Sequence, residues 1–220
     1  MSALFNFLSS QTVLIPLSIA LIRYDRVIRS FLPFILLLLV SFITECLSFL
    51  FIRVLHTSNA LVLNMHGLVE SLLIAYLFYR WSMLKEKRLL FGVLGATFIV
   101  VWLVENILLQ QIMSFSPFFR VFYSFAVILL SINQINYMIA QDSSNLLKSA
   151  TFLICIGFII FFIYQIIYEA AYFVGQDNSD IANRIIYLFA FMNAFINMVY
   201  AIAVYHIPLK NEYYFNKHFK

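Results

Sequence analysis

Residues 64–81 read NMHGLVESLLIAYLFYRW. Extended back to Ala60, the stretch gives a run of about 20 predominantly apolar residues, which at 1.5 Å per residue matches the ~30 Å hydrocarbon core of a bilayer. The run is continuous rather than alternating, so it reads as a membrane-spanning helix and not as a barrel strand. Yet it carries His66 and Glu70, which at a separation of four share one helix face. A segment built for lipid has no use for an imidazole and a carboxylate unless they face protein or a polar cavity.

The whole chain has the same character. Of its 220 residues 64% are hydrophobic and 11% charged, and mean hydropathy is +0.94. Soluble domains carry about 25% charged residues, so a water-facing globule is excluded. The net charge of +4 comes from short Lys/Arg clusters between apolar runs. That is a topology pattern, and it indicates no nucleic-acid partner. The partner implied is the lipid bilayer.

The fold class expected is all-α, a polytopic bundle of seven transmembrane helices over residues 4–22, 31–52, 60–80, 89–109, 118–140, 149–174 and 182–205, followed by a short basic cytoplasmic tail, 206–220. Pro33 and Pro117 fall in or just before first turns, where a missing N–H is tolerated. Pro208 follows the last span. Pro16 lies inside the first span and predicts a kink there; Gly67 is the other candidate helix break. Eleven of the 14 Lys and Arg residues lie on one side of this arrangement, including Arg23, Arg26, Arg29, Arg80, Lys85, Lys87 and Arg88. Arg53, Arg120 and Arg184 lie on the other. The positive-inside rule puts the amino terminus outside and the carboxy terminus in the cytoplasm. In a bacterium the membrane is then the cytoplasmic, inner one. The first span has its charges after the apolar run, as RYDRVIR, so it is expected to stay as a span and not to be cleaved as a signal peptide. Cys46 and Cys155 sit at different depths and predict no disulfide.

Four carboxylates fall within spans: Glu45, Glu70, Glu105 and Glu169. Measured from the inner end, Glu70 comes at roughly 15 Å, His66 and Glu45 at roughly 21 Å, Glu105 at roughly 24 Å and Glu169 near 30 Å. All belong to the outer half, whose polarity suggests a cavity open to the outside. The sixth span repeats the four-residue spacing with Gln165 and Glu169, the seventh with Asn193 and Asn197. These eight residues form the expected polar, ligand-binding centre. Against that stands helix-to-helix hydrogen bonding: intramembrane amides often serve it, and Glu45 and Glu105 could do so as protonated acids.

Longer patterns carry a resemblance. ITECLSF in the second span, HGLVESLLIAYLFYRW in the third, SPFFRVFYSFAVILLSI in the fifth, FLICIGFIIFFIYQ in the sixth and the Asn-rich seventh span are similar to a family of uncharacterised seven-helix integral membrane proteins of Bacteroidetes. The resemblance implies a signalling role beside sensor histidine kinases, and hence a sensor kinase as partner. It brings no family activity and no cofactor.

Three classes of function accommodate these features. The first is a receptor-like or accessory signalling protein whose outward cavity binds a small molecule, a lipid or protons. The second is an intramembrane lipid hydrolase, working through carboxylates or through a metal held by His66, Glu70, Glu45 and Glu105. Zinc sites generally use two or three nitrogen or sulfur ligands, and only one histidine here is deep; His56 lies in an outer connection. The third is a proton-coupled transporter, for which no inverted repeat is visible.

Overall fold

The computed structural model describes residues 11–81, 88–114, 116–141, 146–174 and 179–208. Residues 4–10 of the first expected span, Lys85 and Lys87, and most of the basic tail lie outside the described residues. Among the described residues the chain forms seven α-helices: α1 (Leu14–Ile22), α2 (Leu32–Arg53), α3 (Ala60–Arg80), α4 (Arg88–Leu103), α5 (Pro117–Gln141), α6 (Ala150–Val174) and α7 (Ser179–Tyr205). Among the described residues six helices are long and apolar enough to cross a membrane, so this is a multi-pass helical membrane protein. The first is described, with its preceding 3₁₀ turn, over Gln11–Ile22.

Helix ends follow the chemistry of their termini. Pro33 sits at the start of α2 and Pro117 opens α5, where their missing N–H groups cost nothing. Pro16 falls where the described helix changes character. The α-helix begins only at Leu14, so Pro16 occupies its first turn, and the irregularity is the change from the 3₁₀ turn Gln11–Val13. Gly67 lies in unbroken helix. The break that does occur is a π-helical turn, Val104–Leu108, at the end of α4. Arg23 closes the last helix: its guanidinium donates to the carbonyls of Val204 at 2.8 Å, Ile207 at 3.3 Å and Tyr205, and stands 5.6 Å from the Tyr205 ring centre. A cation there satisfies orphan C-terminal acceptors and opposes the helix dipole.

Packing neighbours run α1–α2–α3–α5–α6–α7 and return from α7 to α1, with α4 laid outside against α3 and α5. The surface is studded with large apolar side chains, such as Leu36, Ile43, Leu129 and Phe195, while Asn64, Glu70, Glu105, Asn106, Gln134 and Glu169 are buried. Lipid tolerates exposed leucine and offers no partner for an amide, so a membrane selects this distribution. Across the bundle Phe34 (α2), Phe78 (α3), Phe158 (α6) and Tyr200 (α7) interlock. Phe34 lies 5.2 Å from Tyr200 and 6.2 Å from Phe158, and Phe158 lies 6.3 Å from Phe78, ring centre to ring centre. These are edge-to-face and tilted geometries, the arrangements that aromatic quadrupoles prefer. The Tyr200 ring lies where a Cβ on Gly157 would stand, so only glycine admits it.

Candidate functional site

Above that aromatic layer, in the half of the bundle nearest the 54–59 and 109–116 connections, lies a cavity of about 440 Å³ bounded by α2, α3, α5, α6 and α7. Pockets of this size accommodate small-molecule ligands. Six of the eight residues expected from the sequence line it: Glu45, His66, Glu70, Gln165, Asn193 and Asn197. Phe158, Phe161, Phe162, Phe189, Tyr168 and Tyr200 are among its apolar and aromatic lining.

The His66–Glu70 pair is organised by a residue from a third helix. Tyr123, on α5, donates its hydroxyl to Glu70 Oε2 at 2.6 Å. His66 Nδ1 stands 3.9 Å from the same oxygen, beyond direct hydrogen bonding but within strong electrostatic range in a poorly solvated site. The other ring nitrogen, Nε2, is 3.5 Å from Ser41 Oγ on α2. An acid, a base and a phenol thus share one cavity wall. Such a group can hold or pass a proton.

A second cluster lies beside it. Arg120 reaches Glu169 Oε1 through Nη1 and Asn64 Oδ1 through Nη2, both at 3.4 Å, while Gln165 Nε2 donates to Glu169 Oε1 at 2.6 Å. Glu169 has no exposed surface; it stands behind the cavity wall, which Arg120 helps to line. Asn64 in turn donates to the carbonyls of Gln111, Ile112 and Ser114 at 3.3, 3.1 and 2.9 Å. The cluster therefore ties α3, α5 and α6 to the 109–116 connection. On the far side Asn197 Nδ2 donates to Thr12 Oγ1 at 2.9 Å and to Asn193 Oδ1 at 3.4 Å, which seats the first turn against α7.

Glu105 is elsewhere. Its two oxygens accept the main-chain N–H groups of Phe118 and Phe119 at 2.9 and 2.6 Å, so it caps the N-terminus of α5 from the neighbouring helix. The π-turn makes this possible: it turns Glu105 and Asn106 inward while Ile107 and Leu108 stay exposed. Asn106 Nδ2 bonds the Trp102 carbonyl at 3.2 Å, meeting an acceptor next to the irregular turn. His56 is exposed in the 54–59 connection at φ 50°. Among the described residues no three His, Cys, Asp or Glu side chains converge on a metal-sized point. Both cysteines are free, Cys155 buried and Cys46 exposed.

Sequence reasoning overlooked Arg120, Tyr123 and Ser48. Arg120 reads as a flanking charge on the outer side, but α5 starts at Pro117 and turns it into the bundle. The available signal was its spacing: Arg120, Tyr123, Ser124 and Val127 recur at three and four residues and share the buried face. Ser48, on α2, lines the cavity, and its buried Oγ has no hydrogen-bond partner among the described residues. No family model, curated protein or solved structure matches this chain.

Proposed function

We propose that the chain is a receptor-like membrane protein that binds a small molecule or lipid in this cavity. One observation carries the reading: the cavity is ligand-sized, with polar side chains converging from five helices, and the Phe34, Phe78, Phe158 and Tyr200 rings interlock at its inner side. With Arg120 turned inward, only Arg53 and Arg184 remain as basic residues on the cavity side. The charge bias therefore favours a cavity facing outward from a bacterial cytoplasmic membrane, with basic turns toward the cytoplasm. A cytoplasmic partner such as a sensor kinase would read the bound state there. The test is native mass spectrometry from lipid nanodiscs. Wild type should carry a stoichiometric non-covalent adduct that Ser48→Phe, which fills the cavity, loses. A folded wild type with no adduct overturns the binding reading.

The Tyr123–Glu70–His66 group favours a second reading, lipid hydrolysis by acid–base chemistry. It requires turnover of an added phospholipid or ceramide that Glu70→Gln abolishes.

A further inference from the structure

Ser41 extends the His66–Glu70 pair into a constellation that no single helix displays. It lies on α2, 25 positions before His66, and all three residues line the cavity. Ser41 Oγ stands 3.5 Å from His66 Nε2, while the other ring nitrogen, Nδ1, stands 3.9 Å from Glu70 Oε2. One imidazole therefore has a hydroxyl at one nitrogen and a carboxylate at the other, the order that activates a serine nucleophile on unrelated folds. The carboxylate selects the tautomer: a proton on Nδ1 is held toward Glu70, which leaves Nε2 as an acceptor on the Ser41 side. Tyr123 fixes the same carboxylate oxygen from α5 at 2.6 Å. Both separations from the imidazole are longer than a tight hydrogen bond, as catalytic contacts often are until substrate closes them. A polar tie between α2 and α3 is the plainer role for Ser41. That role requires neither the carboxylate behind the imidazole nor the placement of all three groups on a ligand-sized cavity.

We propose that Ser41 is the nucleophile of a serine esterase site, with His66 as its general base and Glu70 as the residue that positions His66. The inference rests on the hydrolytic reading above and names its nucleophile and substrate class, a carboxylic ester with an apolar acyl group. The Phe162 ring, 5.7 Å from that of Tyr123, begins an aromatic wall beside the three groups against which such an acyl group packs. Ser41 Oγ bonds to the acyl carbon as its proton passes to His66 Nε2. The bond from that carbon to the alcohol oxygen then breaks, and the departing alcohol takes the proton from His66. Water attacks the acyl-Ser41 ester and gives its proton to His66, which returns it to Ser41 Oγ as the carboxylic acid leaves. Esters of this kind occur both in diacyl phospholipids and as free small molecules.

The test uses the full chain in nanodiscs of a diether phosphatidylglycerol, which holds no carboxylic ester. An alkyl fluorophosphonate should modify Ser41 of the wild type, located by peptide mass spectrometry, and His66→Gln should slow that labelling by about a hundredfold. The wild type should also hydrolyse p-nitrophenyl octanoate. Glu70→Gln should lower kcat by at least about tenfold with KM nearly unchanged, a split that a merely loosened cavity would not give. Added diacyl phosphatidylglycerol separates the sources: release of its fatty acid assigns the site to lipid, and turnover of the octanoate ester alone assigns it to small esters. Labelling mapped to another residue, or turnover that persists in Ser41→Ala, overturns Ser41 as nucleophile and leaves the hydrolytic reading intact. Labelling of Ser41 with neither ester turned over overturns the substrate class. A folded wild type that is neither labelled nor active overturns both the proposal and the hydrolytic reading.

Discussion

Replacing Arg120 by methionine should damage the fold far more than replacing Arg120 and Glu169 together. The two charges stand 3.4 Å apart, with Arg120 9% exposed and Glu169 fully buried. At an effective dielectric constant of about 20, unit charges at that distance attract by about 5 kcal/mol. Most of this is offset by the cost of desolvating both ions, so the intact pair contributes little net stability. Removing one partner exposes the asymmetry. In Arg120→Met the Glu169 carboxylate keeps the Gln165 bond at 2.6 Å, while its Oε2 has no partner even in the native protein. A buried, uncompensated charge costs about 3–5 kcal/mol. The lower end is expected here, because a chain unfolded within the membrane also finds partners for its polar groups.

The reciprocal variant, Glu169→Gln, removes the carboxylate charge facing the guanidinium and should cost about the same. In the double variant both charges are gone. What remains is the lost tie to Asn64 and imperfect packing, about 1–2 kcal/mol. The assay is reversible unfolding in mixed micelles, followed by the fluorescence of Trp81 and Trp102, with all four proteins compared at a common denaturant slope. Independent residues would give a double variant near the sum of the singles, about 6 kcal/mol, agreeing within about 0.5 kcal/mol. That outcome would refute the ion pair. A double variant more stable than either single establishes it.

Two further outcomes separate scaffold from site. Glu105→Gln retains an acceptor for one of the Phe118 and Phe119 amides and loses the charge at the α5 N-terminus. It should cost about 1–2 kcal/mol in the same unfolding assay while leaving the adduct seen by native mass spectrometry unchanged; loss of the adduct would place Glu105 in the site after all. Gly157→Ala drives a methyl into the Tyr200 ring and should cost about 1–3 kcal/mol. Gly92→Ala, where nothing lies within 4 Å, should instead be neutral or stabilising by up to about 1 kcal/mol. Equal effects of the two substitutions would contradict the packing of Tyr200 on α6.

Much of this architecture is legible in the sequence because the solvent is uniform. A bilayer requires long apolar runs, and the ends of α2, α3, α5 and α6 fall within two residues of where hydropathy alone puts them. His66 and Glu70 were equally visible, since a polar pair in such a run has few places to go. Glu105 was not. Its depth matches that of Glu45, and nothing in VWLVENILLQ announces a π-turn that swings it under the next helix. Arg120 was hidden by the counting rule itself, which treats any arginine near a span end as a flanking charge. Tyr123 was hidden by abundance: with 25 Phe and 13 Tyr in the chain, an aromatic at a given position carries little information until its hydroxyl has a partner.

The bundle is held differently at the aromatic layer and around the cavity. At the layer Phe34, Phe78, Trp81 and Phe158 pack ring to ring, an arrangement that resists small displacements because dense cores have discrete packings. Around the cavity the spacing of α3, α5 and α6 rests on Arg120, Glu169, Gln165, Asn64 and Tyr123, whose bonds include contacts of 3.4 Å that can lengthen or exchange at modest cost. Gln165 and Arg120 are at once members of that network and walls of the cavity. A ligand that competes for Gln165 or Glu70 therefore acts on the ties between helices as well as on the cavity surface. Differential contacts of that kind are the requirement for any ligand to shift a conformational equilibrium. The aromatic layer supplies the stiff element against which such a shift would be felt, because α2, α3, α6 and α7 each run through both regions.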